Sequence, residues 1–225
     1  MAEYDAVVFD LDNTICVHQQ DDEEIHEKVF ERAGVGQFFQ PSDLYALDTD
    51  DLPTANSHRE YFEHVYRALA EEVGGDPDHA EPLAAATVEV LDYTQVEFRE
   101  GAETALARAT ENGPVGLVTN GGEEVQTTKL SALGIRDAFD VEVFCDPGEG
   151  IPPKPDPTPL SEALDELGTD PARTLKVGDA LELDVAGARA VGMAAAWVPT
   201  REPTTDPDPA PDYTLDSVDA VADLL

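Results

Sequence analysis

The sequence predicts an α/β fold: a doubly wound parallel sheet with a helical segment inserted early in the chain. Three observations lead there. An uninterrupted apolar run, Val7-Val8-Phe9, ends in two acids, Asp10 and Asp12. From Phe98 onward short apolar strands alternate with amphipathic helices, a rhythm that calls for parallel strands joined by right-handed crossovers. Between them lies a stretch of about 80 residues, 15–96, with helical periodicity and few strand signals.

In chain order, residues 3–10 read as a central strand, because a strand buried on both faces is apolar throughout. Helices are expected at 22–33, 55–73 and 78–93. Gly34 and Gly74-Gly75 end the first two, and Pro53 and Pro77 mark starts. The alternating part then reads as helix 101–112, strand 115–118, helix 123–133, strand 141–144, helix 159–167, strand 174–177, helix 181–191 and strand 194–198. Residues 199–212, rich in Pro, Asp and Thr, read as a solvated loop. A short strand at 213–215 and a closing helix at 218–225 complete the reading. The domains expected are a core of residues 1–14 and 97–225 and an insert of residues 15–96.

Composition narrows the function classes. The chain has 225 residues, 13 Lys+Arg against 49 Asp+Glu, and a formal net charge of -36. The lysines are Lys28, Lys129, Lys154 and Lys176. Nucleic-acid backbones need basic patches, so they are not expected partners. The acids are spread along the chain rather than gathered in a tail. That pattern suits a surface adapted to molar salt, where the Debye length falls to about 3 Å and self-repulsion is screened. A halophilic source is the expectation. No apolar run approaches the ~18 residues of a membrane span, and the acidic N-terminus lacks the order of a signal peptide. A cytoplasmic protein is expected, with its oligomeric state left open. Cys16 and Cys145 read as free thiols near the core.

The chemistry-bearing residues cluster at strand ends, where open α/β sheets bind ligands. Asp-x-Asp spacing alone is weak here, since it recurs at Asp48/Asp50, Asp76/Asp78 and Asp206/Asp208. Asp10 and Asp12 differ because an apolar strand delivers them to a place where unpaired carboxylates are costly. A cation or a lysine is expected beside them. Thr119 follows Gly116-Leu117-Val118 and could hold phosphate oxygens or simply cap a turn. Lys154 stands among prolines in a chain nearly free of lysine. Asp179 ends another strand and Asp184 follows five residues later; both could cap a helix or complete a cation site with Asp10. No G-x-G-x-x-G follows a strand, so a dinucleotide site is not indicated.

Taken in order, Asp10-Leu11-Asp12-Asn13-Thr14, Val118-Thr119-Asn120-Gly121, Lys154-Pro155-Asp156-Pro157 and Gly178-Asp179-Ala180-Leu181-Glu182-Leu183-Asp184 resemble the haloacid dehalogenase-like hydrolase superfamily, phosphatase branch. The resemblance implies a Rossmann-like core with an inserted α-helical cap over residues 15–96. It implies a Mg²⁺-dependent phosphomonoesterase acting on a small phosphorylated metabolite. By the same resemblance, Asp10 is the nucleophile that becomes an aspartyl-phosphate, and Asp12 the general acid and then base. Thr119, Asn120, Gly121 and Lys154 bind the phosphoryl group. Asp10, the backbone carbonyl of Asp12, and Asp179 hold Mg²⁺, with Asp184 as ligand or as partner to the ligands. Caps choose the substrate in this family, which makes His18, Gln19, Arg59, His64 and Arg67 candidate selectors. An acid at Asp12 favours phosphate-ester hydrolysis over 2-haloacid dehalogenation, since a halide leaves without a proton. Phosphoryl transfer to a second sugar hydroxyl, and non-catalytic binding of a phosphometabolite, are the remaining alternatives.

Overall fold

The computed structural model describes residues 4–47, 52, 53, 55, 57–146, 150–201 and 206–225. Asp48 and Asp50 lie outside the described residues. The chain divides into two compact units. One holds residues up to His18, Val96–Asp146 and Gly150–Leu225; the other holds Gln19–Gln95.

The first unit is a six-stranded parallel sheet flanked by helices. Its strands are β1 (Ala6–Phe9), β4 (Val115–Thr119), β5 (Val141–Phe144), β6 (Thr174–Gly178), β7 (Ala194–Trp197) and β8 (Tyr213–Thr214). They lie in the order β5-β4-β1-β6-β7-β8, all parallel. The chain winds outward from β1 through β4 to β5, then returns to the other side of β1 at β6. That reversal opens a crevice at the carboxyl ends of β1 and β6, where such sheets bind ligands. Register brings Phe9 beside Leu117 on one side and Val177 on the other. Alternation along β1 sends Val7 and Phe9 into one apolar cluster and Val8 into a second. Both faces are therefore buried, as the unbroken apolar run requires. The helices of this unit are α5 (Ala102–Asn112), α6 (Glu123–Leu133), α7 (Thr158–Leu167) and α8 (Ala186–Val191).

Some elements depart from the sequence reading. Cys16–His18 (β2) and Val96–Phe98 (β3) form a small antiparallel ribbon. Each strand is too short to show alternation. The helix expected at 181–191 opens with a π-helical turn, Leu181–Val185, before α8. The closing segment Val218–Asp223 is a 3-10 helix rather than an α-helix.

The second unit is helical: α1 (Asp22–Ala33), α2 (Pro41–Ala46), α3 (His58–Val73) and α4 (Ala80–Val90). Asp21 caps α1 by accepting from the Glu24 N–H, and Ser57 caps α3 by accepting from the Glu60 N–H. Gly34 and Gly74 close these two helices in the left-handed conformation. Its core gathers Val29, Phe30, Phe39, Tyr66, Leu69 and Leu83. Among the described residues, no helix is long and apolar enough to cross a membrane. Cys16 and Cys145 are buried free thiols.

Candidate active site

The carboxyl end of β1 turns sharply at Leu11, whose carbonyl accepts from the N–H groups of Ile15 at 2.9 Å and Cys16 at 3.0 Å. Asn13 takes the left-handed conformation in this turn, with φ 56°. Asparagine tolerates that region better than most residues with a side chain. The turn sets Asp10 and Asp12 in different surroundings.

Asp10 is buried and faces Lys154, whose Nζ donates to its Oδ1 at 2.6 Å. The same ammonium donates to Asp184 Oδ1 at 2.8 Å. Lys176, fully buried on β6, reaches the same Asp184 oxygen at 2.9 Å and donates to the Val177 carbonyl at 3.1 Å. Asp184 comes this close because Gly178 has no side chain: a Cβ there would fall 2.2 Å from the Asp184 Cγ. The Ala180 N–H holds the other carboxylate oxygen at 3.2 Å. Asp179 follows β6; its carboxylate accepts from the Thr14 hydroxyl at 3.3 Å, and its carbonyl accepts from Trp197 Nε1 at 2.7 Å.

Asp10, Asp179 and Asp184 each offer a carboxylate oxygen, and the three oxygens lie within 4.8 Å of one another. The electrostatics follow from this crowding. Burial pushes Asp179 up to about 7, reinforced by the charges of Asp10 and Asp184. Burial also raises Asp10, against the pull of Lys154 and with help from Asp184. Asp184 goes the other way: burial opposes ionisation, but Lys154 and Lys176 outweigh it and hold the acid at about 2. Lys154 is raised despite its burial because Asp10 and Asp184 embrace it, whereas burial lowers Lys176. Two lysines thus face three carboxylates, a deficit of one positive charge. An all-oxygen set with surplus negative charge fits a hard divalent cation.

Asp12 sits in a separate pocket of polar contacts built by α6. Lys129 Nζ lies 2.7 Å from its Oδ1 and 2.9 Å from its Oδ2. Gln126, one helical turn earlier, donates to Asp12 Oδ2 at 2.9 Å and to Thr119 Oγ1 at 2.6 Å. Burial alone would raise Asp12, but Lys129 and Gln126 outweigh it and lower the acid.

Thr119 is the buried last residue of β4. Asn120 and Lys154 clasp backbone to side chain: the Asn120 amide donates to the Lys154 carbonyl at 3.1 Å, and the Lys154 N–H donates to Asn120 Oδ1 at 2.8 Å. Two motifs far apart in sequence thereby fix each other. Gly121 packs on Gln126, where a Cβ would meet its Nε2 at 2.9 Å. In the helical unit, Arg59 pairs with Glu81, Arg67 with Glu63, and His64 Nδ1 lies 3.1 Å from the Pro53 carbonyl. These three candidate selectors are engaged within their own unit. His18 ends β2 in the first unit, near enough to Asp12 to favour its charge. The Gln19 N–H donates to the Gln95 carbonyl at 2.9 Å.

The sequence reading did not single out Gln126, Lys129 or Lys176 as site residues. The scarcity of lysine was the usable signal, since two of the four lysines, Lys129 and Lys176, carry buried site contacts beyond the Lys154 singled out.

A family model described as haloacid dehalogenase-like hydrolase matches residues 4–192. The chain is similar to a phosphoserine phosphatase of Thermus thermophilus, 35% identical over 154 residues, 68% of this chain and 60% of that protein. The match thus spans less than two thirds of that relative's length. A glyceraldehyde 3-phosphate phosphatase of Methanopyrus kandleri is 28% identical over 232 residues, 98% of this chain and 96% of that one. Among solved structures, the Bacillus subtilis hydrolase YfnB, bound to magnesium, shares the fold with a TM-score of 0.73 at 18% identity, covering 99% of each chain.

Proposed function

The chain belongs to the haloacid dehalogenase-like hydrolase family, and from that premise we propose that it hydrolyses the phosphomonoester of a small metabolite with Mg²⁺. The observation that carries the reading is the pairing of Asp10 with Lys154 at a buried strand end, beside Asp179 and Asp184 and two residues from an independently held Asp12. The relatives named as phosphatases act on small phosphorylated compounds by their names, and the same substrate class is proposed here.

Asp10 is the nucleophile. Its carboxylate oxygen bonds to phosphorus as the bond from phosphorus to the ester oxygen breaks. Asp12, a carboxylate before substrate binds, takes up the proton of the phosphomonoester monoanion and gives it to that departing oxygen, which leaves as an alcohol. Water then attacks phosphorus, Asp12 takes the proton, and the acyl-phosphate bond breaks to return Asp10 and release inorganic phosphate. Lys154 neutralises the anion approaching Asp10, and the Thr119 hydroxyl with the amides after it binds the phosphoryl oxygens. Mg²⁺, when bound, adds positive charge at the phosphoryl group. Asp10, Asp179 and the Asp12 carbonyl are proposed to hold it, and Asp184 to complete the acidic set while clamping Lys154 and Lys176. The helical unit is proposed to select the substrate. A setting at high salt is proposed from the acidic composition.

The test is phosphate release from phosphoglycolate, nucleoside monophosphates and sugar phosphates in molar KCl, with and without Mg²⁺. Wild-type protein is expected to release phosphate only with the metal, and Asp10→Asn to release none while still folding and unfolding cooperatively. Wild-type turnover by Asp10→Asn would overturn the assignment.

A further inference from the structure

We propose that Gln126 and Lys129, three residues apart on α6, are positioning residues for proton transfer. They hold the Asp12 carboxylate and the Thr119 hydroxyl in one frame. The proposal rests on the phosphatase reading above.

Three observations carry it. First, a single amide bridges both groups, with Gln126 Nε2 at 2.9 Å from Asp12 Oδ2 and 2.6 Å from Thr119 Oγ1. A carboxylate only accepts, so the NH₂ and not the amide oxygen must face Asp12. Both amide protons are then spent. Because Thr119 Oγ1 accepts one of them, its own proton remains for a phosphoryl oxygen. Second, this orientation leaves Gln126 Oε1 buried without a partner among the described residues. Such an orphan is costly, because a buried acceptor has lost its water without gaining a donor. A residue kept for packing would lose that cost by becoming leucine, whereas a residue kept for its two donors would not be replaceable. Third, the loop after β4 makes room for it: Gly121 would place a Cβ 2.9 Å from Gln126 Nε2 and 3.0 Å from its Cδ. Lys129 closes the frame by gripping both Asp12 oxygens, at 2.7 and 2.9 Å. Asp12 then has two directional anchors on one rigid helix face, and its rotation is restricted.

Proton transfer matters most for a poor leaving group. An alkyl phosphate must have its oxygen protonated as it departs, whereas p-nitrophenolate leaves with little help. Gln126→Leu and Lys129→Met are therefore compared with wild-type protein on an alkyl phosphate and on p-nitrophenyl phosphate, with Mg²⁺. Thermal unfolding checks the fold of each variant. Each variant is expected to lose about 10²-fold in kcat on the alkyl ester, from the usual scale of general acid catalysis. On the aryl ester the loss is expected to be less than about tenfold, and KM for the alkyl ester is expected to change little. An equal loss on both esters, or none on either, in variants that unfold like the wild type would overturn the positioning role and leave the phosphatase reading standing. If the wild type released phosphate from neither ester while folded, both would fall.

Discussion

At the scale of single residues, the site is a balance of charges that cannot all be satisfied by the protein itself. Asp179 shows this best. Its carboxyl is pushed up to about 7 by burial and by Asp10 and Asp184, from an ordinary value of 3.8. Between those values the folded protein holds a proton that the unfolded chain has released. The stability this brings is present at low pH and is lost as pH rises through about 7. Metal-free protein should therefore become less stable across this window, and Asp179→Asn should flatten that slope in urea unfolding curves, leaving the part that the raised Asp10 contributes. Mg²⁺ uptake below pH 7 should release a proton, which calorimetry in buffers of different ionisation enthalpy would detect. Lys154 makes the complementary case. It is 3% exposed and touches two carboxylates. Lys154→Met leaves Asp10 and Asp184 buried with one cation between them, and should cost about 3–5 kcal/mol in urea unfolding.

At the scale of elements, the strand ends were legible and the helix faces were not. Val7-Val8-Phe9 announces a buried strand, and acids directly after it have few structural uses. Thr119 and Asp179 were found the same way, each following an apolar run that became β4 or β6. Gln126 and Lys129 escaped because α6 has no strong apolar face; its buried residues include Gln126 and Lys129 themselves beside Leu130. A polar face turned toward a site reads in sequence like a solvated one. Lys176 escaped for a related reason: a lysine inside a short strand reads as an edge position until Asp184 is seen beneath it. The π turn at Leu181–Val185 and the ribbon of β2 and β3 are set by tertiary context rather than by periodicity. Two substitutions probe this scale. Gly178→Ala places a methyl 2.2 Å from the Asp184 Cγ, and should cost about 1–3 kcal/mol by displacing that acid. Leu83→Ala, in the core of the helical unit, should cost about 2–5 kcal/mol.

At the scale of the whole molecule, charge governs behaviour. A net charge of -36 on 225 residues repels itself at low ionic strength. Screening at molar KCl shortens that repulsion to about 3 Å. The unfolding midpoint should rise between low and molar KCl, and greater stability in low salt would contradict adaptation to salt. The same acidity explains why lysine is informative: with four in the chain, three are buried around the Asp10 and Asp12 carboxylates or Asp184. Asp10 is proposed to carry the phosphoryl group during turnover. The most direct measurement is acid-quenched single turnover with a phosphatase substrate and Mg²⁺, followed by mass spectrometry of the digested protein. One phosphoryl group on the peptide bearing Asp10, absent in Asp10→Asn, is the predicted result. Phosphate release with no label on that peptide, or with the label on another residue, would contradict the account.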